Sequence, residues 1–242
     1  MHRIYIPDGR FEAETVALNR EESRQLRSVL RAEPGLPVEL FNGRGETRSG
    51  QVTEVSKSQI SVAAAQAVSH PRPGCGITLV QCLVKGKRMD WIVEKAVELG
   101  VGRIAPVISD RTIVRLNDKE AAARLERWER IVVEAARQCQ TPWLPLFSPV
   151  QSLRSALTAV ECEWKSVATL TAEHATPLGK RLTGRPASAA ILIGPEGDLS
   201  SDEVAAALSE GWAPVSLGAT VLRAETAALY AVSAMRCAWE DD

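Results

Sequence analysis

Ala189-Ala190-Ile191-Leu192-Ile193-Gly194-Pro195-Glu196-Gly197 and, further on, Leu217-Gly218-Ala219-Thr220-Val221-Leu222-Arg223-Ala224-Glu225-Thr226-Ala227 are two glycine-bearing turns, each reached from a short apolar run and each leading into a helical pattern. Ala189 to Ile193 has the continuous apolar character of a buried strand. Ser200-x-x-Glu203 then opens a helix as a capping box, in which hydroxyl and carboxylate each satisfy an otherwise unpaired backbone N–H. The second unit repeats the arrangement, with Val215 to Leu217 as strand and Glu225 to Cys237 as helix. Two such turns at one edge of a parallel sheet form a crevice lined by backbone N–H and C=O groups, where α/β proteins hold nucleotide-like ligands. Neither turn carries G-x-G-x-x-G and no G-x-x-x-x-G-K-[ST] occurs, so a pyrophosphate cradle is not expected.

Upstream of these turns the chain alternates strand and helix. Ile77 to Val84 is a near-continuous apolar run, Arg88 to Leu99 a helix ended by Gly100, Ile104 to Ile108 a strand, Ala121 to Gln138 a long helix and Val167 to Leu170 a further strand. Such alternation predicts a mainly parallel sheet covered by helices, and by pattern alone an open doubly wound one. Nearer the start, His2 to Pro7 reads as a strand, and Asn19 with Glu22 caps a helix from Arg20 to Arg31 whose apolar stripe is Leu26, Val29 and Leu30. Its Arg20, Arg24, Arg27 and Arg31 recur on one side. Short strands follow at Val38 to Phe41, Thr47 to Val55 and Gln59 to Ala65, punctuated by glycines as in a small barrel. Ser69-His70-Pro71-Arg72-Pro73-Gly74 is a stiff linker and the best domain boundary.

At 242 residues and 45% hydrophobic residues the chain is long enough to bury a substantial core. Met1-His2-Arg3-Ile4-Tyr5 leads straight into a strand pattern without a signal peptide, and no apolar run reaches the roughly 20 residues of a membrane helix. Five cysteines at irregular spacings, with no C-x-x-C pair, indicate neither a disulfide framework nor a zinc site, and a cytosolic setting with reduced thiols is the simplest expectation. The net charge of −1 excludes a generally basic coat. Residues 71–140 nevertheless carry 13 Lys and Arg against 9 Asp and Glu, so a local positive surface for RNA is expected there.

Gly194-Pro195-Glu196-Gly197, Ser200 and Glu203, followed by Leu217-Gly218 and Leu222-Arg223-Ala224-Glu225-Thr226-Ala227, resemble the C-terminal signature of the SPOUT methyltransferases. Within them the match is to the 16S ribosomal RNA uridine-N3 methyltransferase family called RsmE, and it extends to Lys85 through Val101 and Trp128 through Gln138. The resemblance implies a PUA-like RNA-binding β-barrel over residues 1–70 and a SPOUT domain over residues 75–242 whose C-terminal segment threads a trefoil knot. It also implies S-adenosylmethionine as cofactor, no metal, N3 of a uridine in 16S rRNA of the 30S subunit as acceptor, a homodimer and a cytoplasmic location. Three departures stand out. Gln25 replaces a histidine usual before Val29-Leu30-Arg31, Thr141 replaces an arginine, and Asp198-Leu199 stands where the family commonly has glycine and phenylalanine.

Methyl transfer from a sulfonium needs in-line alignment and an acceptor in its nucleophilic form. Arg223 is the candidate to offset the charge that spreads onto the uracil carbonyls when N3 loses its proton. Glu225 either accepts that proton, directly or through water, or holds Arg223 or a backbone N–H at the start of the last helix. Cofactor contacts are expected from Ile193, Gly194, Glu196 and Gly197 in the first turn, from Leu217, Gly218, Leu222 and Thr226 in the second, and from Leu170 and Thr171 in a third loop. Glu196 has two readings, a bond to the ribose or amino group of the cofactor or completion of the turn. RNA contacts are expected from Arg3, Arg31, Lys85, Arg88, Arg111 and Arg115. A ribose 2′-O-methyltransferase with the same fold and a catalytically inactive RNA-binding assembly protein are the alternatives.

Overall fold

The structure is a computed structural model that describes residues 1–7, 9–72, 74–170 and 175–239. It divides into two compact units, Met1–Arg72 with Ala136–Leu144, and Pro73–Ala135 with Pro145–Asp242. The segment 136–144 joins the first unit from far along the chain, which a boundary drawn at the linker does not anticipate.

In the first unit, β1 (His2–Tyr5), β2 (Thr15–Ala17), α1 (Arg20–Leu30), β3 (Pro37–Phe41), β4 (Glu46–Val55), β5 (Ile60–Ala64) and β6 (Val68–Ser69) follow in order. The sheet runs β1-β3-β4-β5-β2 with β6 also on β4, and only the β1/β3 pair is parallel. Alternation places Val38, Leu40, Val52, Ile60 and Val62 on one buried face, where they meet Ile4, Ile6, Phe11, Val16 and Leu26. The predicted capping box of α1 is present: Asn19 Oδ1 accepts from Glu22 N–H at 2.9 Å and Glu22 Oε2 accepts from Asn19 N–H at 2.7 Å. The helix stops one residue earlier than its periodicity suggests, because Arg31 turns into the left-handed region (φ 49°) as C-cap. Strand β2 was not expected. Three residues carry too little alternation to register, and its pairing with β5 is what defines it.

The second unit contains β7 (Gly76–Cys82), α2 (Arg88–Glu98), β8 (Arg103–Ile108), α3 (Asp118–Cys139, whose last turn belongs to the first unit), β9 (Leu146–Phe147), β10 (Gln151–Ser152) and α4 (Leu153–Ala159). After these come β11 (Trp164–Ala168), β12 (Thr176–Pro177), α5 (Leu178–Arg181), β13 (Ser188–Ile193), α6 (Ser201–Ser209), β14 (Ala213–Ser216) and α7 (Ala224–Trp239). Every pairing is parallel and the order is β10-β8-β7-β13-β11-β14-β12, with β9 on β8. Val80, Cys82, Ala190, Leu192 and Val167 face α4 and α6 in one core layer. On the other side α7 packs on β7, β13 and α2, with Ala227, Ala228 and Ala231 on its buried stripe to allow close approach.

One feature departs from plain double winding. There the strand after β8 in the main alternation would pair with β7; here β13 occupies that place and β11 is pushed one position outward, with β14 beyond it. The chain therefore moves out to β11, returns to β13, moves out again to β14 and comes back for α7. This doubling back replaces the open doubly wound sheet that the pattern alone predicts. No helix among the described residues is long and apolar enough to cross a membrane.

The cap of α6 joins this unit together locally. Glu203, buried, accepts from Ser200 N–H through Oε2 at 2.9 Å and from Asp110 N–H through Oε1 at 2.7 Å. Glu203→Ala leaves both N–H groups without that acceptor, and we expect it to cost about 2 kcal/mol of unfolding free energy, read as a lower urea midpoint at unchanged slope.

Candidate active site

Because β13, β11 and β14 are neighbours and parallel, the loops that leave their carboxyl ends emerge side by side. They enclose a cavity of about 390 Å³. Ala168, Thr169 and Leu170 form one wall, Ile193, Gly194, Pro195, Glu196 and Asp198 a second, and residues 216–218 and 220–225 with Ala227 a third. Arg88, from the start of α2, completes it. The two turns legible in the sequence thus meet in space. Of the predicted cofactor contacts, Leu170, Ile193, Gly194, Glu196, Leu217, Gly218 and Leu222 line the cavity, as do Arg223 and Glu225. Gly197 and Thr226 do not line it, and Thr171 lies outside the described residues.

The glycines have separate reasons. Gly218 has φ 125°, open to glycine and strained for other residues. Gly194 is needed for closeness instead, since a β-carbon there would sit 3.2 Å from Asp198 Oδ1 and 3.3 Å from Leu199 N. Asp198, at the position where a glycine was the expectation, is itself left-handed (φ 58°) and its Oδ2 accepts from Leu170 N–H at 3.1 Å. The aspartate thus takes a backbone conformation that glycine adopts freely, and its side chain adds a tie between two walls.

Glu196 Oε1 accepts from Lys85 N–H at 3.0 Å and from Arg88 Nη1 at 2.9 Å, so its side chain ties this turn to the loop after β7 rather than completing the turn, which Asp198 N–H closes on Pro195 O. Arg88 Nε also lies 3.7 Å from Glu225 Oε1, so this guanidinium bridges the carboxylates of both turns. Glu225 Oε2 is buried and has no hydrogen-bond partner among the described residues. Arg223 is exposed at the cavity wall. Leu170 and Val221, 63% and 75% exposed, put apolar surface on the rim that a ligand would cover. Volume, apolar rim and backbone-lined walls fit a nucleoside bearing an aliphatic arm.

Among the predicted RNA contacts, Arg3 needs correction. It is buried, paired with Glu39, stacked 4.7 Å from the Phe41 ring centre and bonded to the carbonyls of Ala136 and Thr141. A charge taken out of water needs such partners, and Arg3 is a structural residue of the first unit. Arg31, Lys85 and Arg115 are exposed, whereas exposed Arg111 is tied to Gly197 O at 2.9 Å. The first unit also has a depression lined by Arg20, Arg24, Arg27, Lys57 and Ser58, where the helix periodicity gathers three of its arginines.

Residues 71–236 match the sequence profile of a family described as RNA methyltransferase domain. Over 235 residues, 95% of this chain and 75% of the relative, the sequence is 30% identical to the ribosomal RNA small subunit methyltransferase E of Synechocystis sp.. The corresponding protein of Bacillus subtilis is 29% identical over 93% of this chain and 90% of its own. Among solved structures, a ribosomal RNA small subunit methyltransferase E from Neisseria gonorrhoeae bound to S-adenosyl methionine superposes with a TM-score of 0.89 at 35% identity, covering 99% of this chain and 98% of that one.

Asp198→Ala keeps the left-handed backbone but loses the side chain suited to it, and we expect a loss of about 1 kcal/mol in a thermal or urea unfolding measurement. Asp198→Gly, which relieves the backbone instead, should unfold close to wild type.

Proposed function

The chain belongs to the ribosomal RNA small subunit methyltransferase E family, and on that premise we propose that it transfers the methyl group of S-adenosylmethionine to N3 of a uridine in 16S ribosomal RNA. The observation that carries the reading is the convergence of three parallel-strand loops on one cavity whose wall holds both Arg223 and Glu225. The acceptor is a 30S subunit in the cytoplasm and the working form is a homodimer. Residues 1–70 form a PUA-like RNA-binding barrel, a role supported by the basic depression on α1 and by exposed Arg31.

When bound, S-adenosylmethionine supplies a methyl already activated on a sulfonium, so the protein's share is alignment and activation of the acceptor. Ile193, Leu217 and Leu222 offer the adenosine apolar surface, while the backbone around Gly194 and Gly218 offers N–H and C=O groups. Glu225, which lines the cavity, takes the proton from N3, directly or through water. Arg223 lies two residues away on the same turn and offsets the charge that the deprotonated ring spreads onto its carbonyl oxygens. Lys85, Arg111 and Arg115 hold phosphates of the RNA, each charge releasing counterions. Arg88, bound to Glu196 and close to Glu225, holds carboxylates in place and is reassigned from phosphate contact to that task.

Labelled methyl transfer to unmodified 30S subunits and to naked 16S rRNA, followed by nuclease digestion and mass identification, should give 3-methyluridine; a 2′-O-methyl nucleoside would overturn the acceptor. In the same assay Arg223→Ala should lower turnover by about 10²- to 10³-fold while cofactor affinity by calorimetry stays near wild type. Turnover equal to wild type would remove Arg223 from the mechanism.

A further inference from the structure

A second, more open cavity of about 640 Å³ adjoins the first. Lys85, Gly86, Lys87, Arg88, Trp91 and Glu225 line it, and Arg88 and Glu225 are common to both cavities. Trp91 is out of place by the ordinary logic of an amphipathic helix. The buried stripe of α2 is Met89, Ile92, Val93, Ala96 and Val97, and Trp91 lies off it. Its side chain is 43% exposed, whereas Trp128, Trp164, Trp212 and Trp239 are buried. Asp90, its neighbour, has a structural task in accepting from Arg127 and from Trp128 Nε1. For the Trp91 ring the fold supplies no burial of that kind. Exposing a large aromatic surface beside two lysines is the pattern of a platform for an unstacked base, with cations placed for its flanking phosphates.

We propose that this second cavity receives the acceptor pyrimidine, extruded from the RNA, with Trp91 as its stacking platform and Lys85 and Lys87 on the adjoining phosphates. The inference rests on the methyltransferase reading and adds to it the acceptor's own site. The two cavities meet at Glu225, where acceptor and methyl donor must come together. Enzymes that modify a base take it out of the stack, and an aromatic face offsets the stacking that the base loses.

The test uses full-length protein carrying Trp91→Ala or Trp91→Phe, with unmodified 30S subunits as substrate. Trp91→Ala should lower kcat/KM for RNA by about 5- to 100-fold, mostly through KM, and leave cofactor affinity and sedimentation unchanged. Trp91→Phe should restore most of the loss, since it keeps a ring. Unchanged kcat/KM in Trp91→Ala overturns the proposal. So does an equal loss of cofactor affinity, and so does a change in oligomeric state, which would assign the ring to contact with a second copy of the chain. Fluorescence provides an independent arm: uridine-containing single-stranded RNA should quench wild-type emission, and the quench should be weaker in Trp91→Phe, where half-buried Trp143 of the first unit remains to report RNA bound there. Equal quenching of both proteins overturns the site. Absence of methyl transfer by the wild type would sink the functional reading, and the fluorescence arm would still decide whether Trp91 stacks on RNA.

Discussion

The turn and helix start that follow β13 hold the loops of three other strands through side-chain carboxylates. Glu196 accepts from Lys85 N–H beyond β7, Asp198 from Leu170 N–H beyond β11, and Glu203 from Asp110 N–H beyond β8. Arg111 adds a bond to Gly197 O. Loops at the carboxyl edge of a parallel sheet leave the ladder with unpaired N–H groups, and an ionised acceptor is a strong partner for them. Buried Glu203 contributes most, because an N–H left without an acceptor there has little access to water. Two walls of the cavity and the loop that leads to Arg88 are thereby tied together without a ligand, which serves the alignment that methyl transfer needs.

That turn has such reach because of where β13 lies. Its residues pair with six positions of β7 on one side and four of β11 on the other, so it is central and its turn touches neighbours in both directions. Had β11 taken the place beside β7, the loops of β11 and β14 would stand on opposite sides of β13's loop or farther away, and the three walls would not close in the same way. The exchange of one strand position thus converts an ordinary sheet edge into a pocket. It also brings α7 back over β7 and β13, where its alanines permit close packing.

Much of this was legible beforehand where the cause is local. Both capping boxes, Asn19 with Glu22 and Ser200 with Glu203, join residues three apart and form as expected. The helices expected from Arg88 and from Glu225 form, the second starting one residue earlier at Ala224. The two glycine turns also placed Ile193, Gly194, Leu217, Gly218, Leu222, Arg223 and Glu225 at one cavity. Arg3 was misjudged because a charged residue in a first strand reads as exposed. Its partners, Glu39, Ala136 and Thr141, come from far along the chain. Arg88 likewise reads as a loop cation until Glu196 and Glu225 are found beside it.

The sequence by itself determined the α/β class, the caps, the turns and the chemical identity of the residues offered to the site, since these depend on interactions within a helical turn or on strand alternation. Only the tertiary structure decided that β13 sits between β7 and β11, that Arg3 is internal, that Asp198 ties to Leu170 and that Trp91 stands exposed beside Glu225. Those outcomes are set by which distant segments pack together. A parallel strand carries no local mark of its partner, because either neighbour satisfies its backbone and apolar side chains equally well.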